Sequence, residues 1–445
     1  MIVPTTGSSS LAERAAFADP DFYALKLTEI EEVVASLHRE APVFWCEAGG
    51  FWVISKYKDQ RFISSNPELF SSSSGFTLAD NSDPAEVVQQ LPQWAQDTYA
   101  GGSLSRAESR GLISRSKLSL GDPELINIIT SDPPLHTYQR KIWAQAFGAR
   151  LIRRMGATVK ETCDELLDAI EPGSVGDFVD AVVEPLPTLL TADIMGVPRS
   201  DRPRFVPWAK AQVESISLTP ESPPDDVARI TRQIEEFFEY NGALIEKRRA
   251  EPQDDFISRV VNSDVEGRTI DESNAMMFVS SLFGGASDTS KSLIGQAIMA
   301  LGKRPEQRAK LIEQPDLLNN AVEEVLRYHP VAWAMYRTAT AAVEIGGQAI
   351  GKDDYLMLFY FGANRDEEVW DRPFDFDVGR TFDSSHMSFG FGEHTCPGSA
   401  LARIEGRTIV ERMLTRFPNW ELVGAPETRP SSFIHQLKSM EVRFQ

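Results

Sequence analysis

Only three cysteines occur in 445 residues, Cys46, Cys163 and Cys396, and an odd, widely spaced set does not form a disulfide framework. A reducing compartment follows. Long apolar runs are missing too: no stretch reaches the 18 or more residues that a membrane helix needs. The opening Met1-Ile2-Val3-Pro4-Thr5 lacks the basic stretch followed by an apolar one that marks a secretory leader, so no membrane anchor and a cytoplasmic location are expected. Basic residues are scarce beside acids, Lys+Arg 45 against Asp+Glu 65, and the net charge of −20 argues against non-specific attraction to nucleic acid or an anionic membrane. Internal repeats and domain-sized linkers are absent. So are nucleotide fingerprints: the run from Gly285 to Ser292 lacks the second glycine of a phosphate loop, and Gly390-x-Gly392 lacks a third glycine three residues on.

What remains is the composition of an ordinary globule, 42% hydrophobic and 25% charged, with ample material for a core. Val227, Ile230, Ile234, Phe237, Phe238, Leu244 and Ile245 fall on one face at helical spacing. Short strands are expected around Ala342 to Phe361, where Val343, Ile345 and Ile350 flank Gly-Gly and Gly-Lys turn signals. Pro220-Glu221-Ser222-Pro223-Pro224 cannot be helical and reads as a hinge between two helices. From Leu91 to Asp132 the chain mixes glycine, serine, proline and charge without clear periodicity, which reads as a long loop with short helices, and loops that long are often functional. Helix dominates and sheet is minor.

The richest chemical signal is Ser388-Phe389-Gly390-Phe391-Gly392-Glu393-His394-Thr395-Cys396-Pro397-Gly398, followed at once by the helical pattern Ala400-Leu401-Ala402-Arg403-Ile404-Glu405. The glycines let the backbone curl around a bulky flat partner, and Phe389 supplies an aromatic wall beside the sulfur. A soft anionic sulfur at a helix start suits an iron centre, and a thiolate on haem iron pushes electron density that helps split an O–O bond. Upstream, Thr269-Ile270-Asp271-Glu272 reads as a capping box opening a helix that runs to Leu301, about 45 Å long. In its middle sits Gly284-Gly285-Ala286-Ser287-Asp288-Thr289-Ser290. Two glycines inside a helix cost roughly 1 kcal/mol each, so local propensity yields to a need for space. A kinked or widened turn there would leave room for dioxygen, with the Thr289 hydroxyl and Asp288 carboxylate delivering protons to it.

The spacing Phe-x-x-Gly-x-His-x-Cys-x-Gly resembles the haem-binding loop of the cytochrome P450 superfamily, the soluble, bacterial-type haem-thiolate monooxygenases. Four further segments are similar to that family's motifs, in order: Asp132-Pro133-Pro134-Leu135-His136 through Arg140, the Gly284 to Ser290 run with Ala286 where glycine is commonest, Glu324-Val325-Leu326-Arg327, and Arg337 after it. The resemblance implies a mainly α fold with a small β subdomain, a triangular helical prism around one buried haem. It implies one domain over residues 1–445, with 1–15 a frayed start, and a monomer. By the same resemblance Cys396 is the metal ligand of haem b, Phe389 and Gly285 flank the cofactor, and His136, Arg140, Arg337 and His394 answer its propionates. Asp288 and Thr289 are then the catalytic pair. Glu324 and Arg327, joined by Arg380, form a structural network. O2 is the co-substrate, and electrons from NAD(P)H arrive through a separate ferredoxin and ferredoxin reductase, with Lys141, Arg150 and Arg154 as a docking patch. The substrate is a hydrophobic small molecule facing Ser281, Leu282, Gly285, Trp333, Ala334, Phe433 and Ile434, beneath a roof that includes the Pro220–Pro224 hinge. A peroxide-driven peroxygenase and a non-catalytic haem sensor or carrier stay open as alternatives. One departure stands out: Pro397, directly after the cysteine, has no N–H to offer the sulfur.

Overall fold

Apolar residues at every third or fourth position build the helical frame of the computed structural model, which describes residues 10–81, 106–118, 127–215 and 222–445. In the helix Ala149–Asp168 the buried stripe is Leu151, Met155, Val159, Cys163 and Leu167, so Cys163 is core and nothing more. In Leu318–Tyr328 it is Leu318, Ala321, Val322, Val325 and Leu326. The helix Pro224–Ala250 opens with proline at its first turn, where no amide is missed, and buries Ile230, Phe237, Leu244 and Ile245 as the periodicity requires. Of the expected hinge before it, Pro220 and Glu221 lie outside the described residues, as do residues 1–9 of the expected frayed start and 91–105 and 119–126 of the expected long loop. From Ser10 onward the chain is ordered by a capping box over Leu11–Arg14, and Ala15 and Phe17 are buried.

The helix Glu272–Gly302 runs through the centre, and every residue from Ser290 to Leu301 is buried. A helix buried all round lies inside a large core, and this one packs against the helices Pro185–Met195, Pro224–Ala250, Leu318–Tyr328 and Ser399–Arg416. Its start differs from the expected capping box. Asp271 is the cap, its carboxylate accepting the Asn274 N–H at 2.7 Å, while Thr269 pairs with Asp264 in a two-residue hairpin. Asp caps as well as Thr, and a β-branched residue is the better strand former.

The largest sheet has five strands in the order Val43–Cys46, Phe51–Ile54, Tyr355–Phe359, Ala334–Ala339, Phe70–Ser71. It is antiparallel except where Phe51–Ile54 meets Tyr355–Phe359. Along Tyr355–Phe359 the side chains alternate: Tyr355, Met357 and Phe359 join a cluster with Phe17 and Tyr23, and Leu356 and Leu358 one with Ile54 and Ile63. The hairpin Val343–Ile345/Gln348–Ile350 turns on Gly346 and Gly347, both at positive φ, as the Gly-Gly signal predicted. Among the described residues no helix is long and apolar enough to cross a membrane.

Candidate active site

The cysteine loop is built by its glycines. Gly390 adopts φ 69°, ψ −170°, a conformation open essentially to glycine alone. Gly392 sits at φ 74°, and a Cβ there would stand 2.1 Å from the Ser64 carbonyl oxygen. The loop closes on itself when the Cys396 N–H donates to the Phe389 carbonyl at 2.9 Å. Cys396 is thereby set just ahead of the helix Ser399–Arg416. Burial pushes its thiol up, while the N–H groups of Gly398 and Ser399 and the charges of Arg140 and Arg403 favour the thiolate. Pro397 therefore does not leave the sulfur without donors; the next two amides face it. Phe389 lies beside the loop with the Arg403 guanidinium 4.5 Å from its ring centre, and Arg403 is held bidentately by Glu323, which also meets His386. The Arg403 guanidinium and the contact with His386 hold the Glu323 carboxyl down at about 2 in spite of its burial.

A cluster of donors converges on one side of this loop. His136 and His394 stack with ring centres 4.0 Å apart, and Glu393 Oε1 is 3.8 Å from a nitrogen of each. The His394 Nε2 meets the Ser72 hydroxyl at 3.1 Å, and Arg140 donates to the Thr395 carbonyl at 2.6 Å. Arg337 donates to the Tyr336 carbonyl at 2.7 Å. Asp132 accepts from the Ser72 N–H at 2.8 Å and from the Ser71 hydroxyl. Burial, Arg140 and Arg337 push His136 down to about 4; burial, Arg337, His136 and Arg140 push His394 to about 2. His136 Nε2 is buried without a hydrogen-bond partner. Two arginines and two imidazoles compressed against one another fit a ligand that brings two carboxylates, as haem does. Residues expected from sequence are brought together here, and two more were missed. Glu393 gave the signal of standing beside His394; Ser72, 322 residues from it, gave none.

The central helix meets the expected need for space in a simpler way than foreseen. It is continuous, with no break at the glycines. Gly284 and Gly285 are exposed in the middle of a buried element, and a Cβ on either would meet nothing within 4 Å. The room comes from missing side chains instead of a broken ladder. Thr289 donates its hydroxyl to the Gly285 carbonyl at 2.7 Å. Burial raises the Asp288 carboxyl above its usual range, against the opposing pull of Lys291, and its backbone carbonyl accepts from Gln436 at 3.1 Å. A second buried acid was not foreseen: Glu405, facing Ser290, is pushed up to about 7 by burial. The open glycine face, a thiol flanked by amides and cations, and the cationic cluster together fit a haem.

The sequence and fold comparisons agree with that fit. A family model described as Cytochrome P450 matches residues 108–439. The steroid C26-monooxygenase of Mycobacterium tuberculosis is 32% identical over 409 residues, 91% of this chain and 98% of that one. The chain belongs to the cytochrome P450 family. This P450 is also 29% identical over 435 residues to the linalool 8-monooxygenase of Pseudomonas putida, covering 97% of the chain and 98% of the relative. The structure of cytochrome P450 CYP109Q5 from Chondromyces apiculatus matches it with a TM-score of 0.77 at 25% identity, over 96% of this chain and 97% of that one. Membership makes the protein a haem-dependent, oxygen-incorporating oxidoreductase with the P450 fold.

Of the residues expected to line the substrate side, Trp333 is a correction. Its ring packs 4.8 Å from Phe361 and stacks on His435 at 4.7 Å, inside the sheet cluster that includes Tyr23. An indole that large is drawn into apolar surroundings, and its backbone N–H instead joins the two expected segments by donating to the Phe433 carbonyl at 3.0 Å. Ser281 accepts from the Asn127 amide at 2.7 Å. A surface cleft of about 450 Å³ between Arg304 and Phe374–Asp377 shares no residue with this site.

Proposed function

We propose that this P450 is a single-domain haem-thiolate monooxygenase acting on a hydrophobic small molecule, with O2 as co-substrate and electrons from NAD(P)H through a separate ferredoxin and ferredoxin reductase. The observation that carries the reading is the convergence of Cys396, flanked by the Gly398 and Ser399 amides, with the cationic cluster of His136, Arg140, Arg337 and His394. Bound haem b supplies the oxygen-activating chemistry. Cys396 would hold its iron, the cluster its propionates, and Phe389 and Gly285 its faces.

The chain's own residues then manage protons and water. Thr289, anchored on the Gly285 carbonyl, presents a hydroxyl beside the open glycine face, and Asp288 holds the proton to be passed on. A raised carboxyl is the better carrier, because it takes up a proton more readily than a free carboxylate does. Relatives named for linalool and for a steroid support a hydrophobic substrate. The docking patch is weaker than its sequence suggests. Lys141 is paired with Glu266, Arg150 with Asp254, and Arg154 lies 4.0 Å from Asp193. A cytoplasmic, monomeric protein agrees with the charge and the reduced cysteines.

Reduced protein under carbon monoxide should show the red-shifted Soret band of a thiolate-ligated haem, and Cys396→Ser should lose it. An unchanged band in that variant would refute the assignment. Product formation from NAD(P)H only when ferredoxin and reductase are supplied separates the monooxygenase from a peroxide-driven enzyme and from a haem carrier. Substrate candidates are ranked by the low-spin to high-spin absorbance change of the ferric protein.

A further inference from the structure

Lys291 is a strange residue to find in the buried part of a central helix. It follows Asp288 by three positions in the segment where every residue is buried, and its side chain is 5% exposed. A lone ammonium there would be strongly disfavoured, so its partners define what it does. The nearer is Glu184, at the junction of the helical turn Val179–Val183 and the helix Pro185–Met195, with Nζ to Oε2 2.7 Å. The farther is Asp288, with Nζ to Oδ1 3.4 Å. Arg429, on the strand Glu427–Arg429, adds a weaker positive field from a third element, and Gln436 from the neighbouring strand binds only the Asp288 backbone carbonyl.

We propose that Lys291 and Glu184 are positioning residues that make Asp288 a releasable proton carrier, Glu184 keeping the buried ammonium paired whenever Asp288 takes up a proton and lets go. This rests on the reading of Asp288 as the proton-delivering acid. The charge balance supplies the reason. With all three groups ionised the triad carries a net charge of −1 around a buried ammonium, and one proton on Asp288 brings it to neutrality while the lysine keeps its shorter bond. A simple Asp–Lys pair would behave the opposite way. Protonating its acid would strand a buried cation, so the acid would stay ionised and clamped. Glu184 is the group able to trade its other contacts for water, being 30% exposed. Its negative charge also raises Asp288, while Lys291 and Arg429 lower it.

The two positioning residues therefore act on Asp288 with opposite signs, which a merely structural role would not produce. The haem-loaded full chain is titrated by infrared spectroscopy, and the Asp288 carboxyl band is isolated by difference against Asp288→Asn. Glu184→Gln should lower the Asp288 midpoint, raising its acid dissociation constant about tenfold or more; Lys291→Met should move it the other way by a similar factor. The carbon monoxide spectrum verifies that each variant is folded and loaded, and if Lys291→Met does not accumulate, Glu184→Gln decides alone. An unmoved midpoint in Glu184→Gln, or shifts of the same sign in both variants, overturns the proposal. The infrared titration reads no turnover, so a failure of Asp288 as proton donor is seen separately, as an Asp288→Asn variant that keeps the full yield of product per NAD(P)H.

Discussion

Glu324 and His136 are both buried ionisable groups near the cysteine loop, and their surroundings could hardly be less alike. Around Glu324 the chain answers every charge itself. Arg327 donates to both carboxylate oxygens at 2.7 and 2.8 Å, and Arg380 donates at 2.9 Å. The remaining Arg327 donors go to the carbonyls of Asn364, Pro373 and Asp375. Around His136 two arginines push on a ring that packs against His394 and whose Nε2 has no hydrogen bond. The first region is a self-contained structural lock. The second fits the proposed recognition surface, in which charge would be arranged for a partner the chain does not encode.

The sharpest way to break that comparison is Glu324→Gln. Removing one partner of a fully buried ion network leaves two guanidiniums short of their countercharge, and about 3–5 kcal/mol of stability should go. Urea denaturation of the haem-loaded protein measures it; a loss below 1 kcal/mol would mean that the network is no lock. The recognition side should instead respond to pH. The folded pKa of His136 is about 4, below the usual 6.5, so as pH falls between these values the unfolded chain takes up the proton first. Stability is then lost on acidification, by up to about 3 kcal/mol for this group in the apoprotein. Haem-loaded protein should lose less over the same window, because propionates favour the imidazolium; equal slopes in the two forms would count against the propionate assignment.

Smaller effects sharpen the contrast between stability and function. Thr289→Ala should leave unfolding unchanged within experimental scatter, yet lower product yield per NAD(P)H by about 10²-fold, the scale of one proton-transfer group. The smallest change, Gly284→Ala, should run the two readouts in opposite directions. Alanine gains up to about 1 kcal/mol of helix propensity at a position where its methyl meets nothing, while the added group narrows the open face and weakens the substrate-induced spin shift.

The local motifs were legible because their geometry is set by residues a few positions apart. Glu324 and Arg327 share a helix face at three-residue spacing whatever surrounds them, and Gly390, Gly392 and Cys396 define one turn. Misreadings came where a local signal had two outlets. Thr269 and Asp271 both cap well, and the hairpin claimed the threonine. Trp333 is large and apolar enough for either a pocket wall or a core, and the sheet cluster took it. The helix glycines were read as a kinked or widened turn, whereas the helix runs on as a continuous α-helix and the missing side chains leave open space.

Composition, spacing and motif order thus determined the mainly helical fold, the cysteine loop and the candidates for the cationic cluster, since short-range sterics and helical periodicity act on neighbours in the chain. Tertiary structure alone decided that one oxygen of Glu393 lies 3.8 Å from a nitrogen of each of two packed imidazoles, that Ser72 reaches His394, and that Glu184 holds the ammonium beside Asp288. Those contacts join elements separated by up to hundreds of residues. A through-space charge interaction leaves no period in a sequence, so only the packed chain can reveal which acid faces which base.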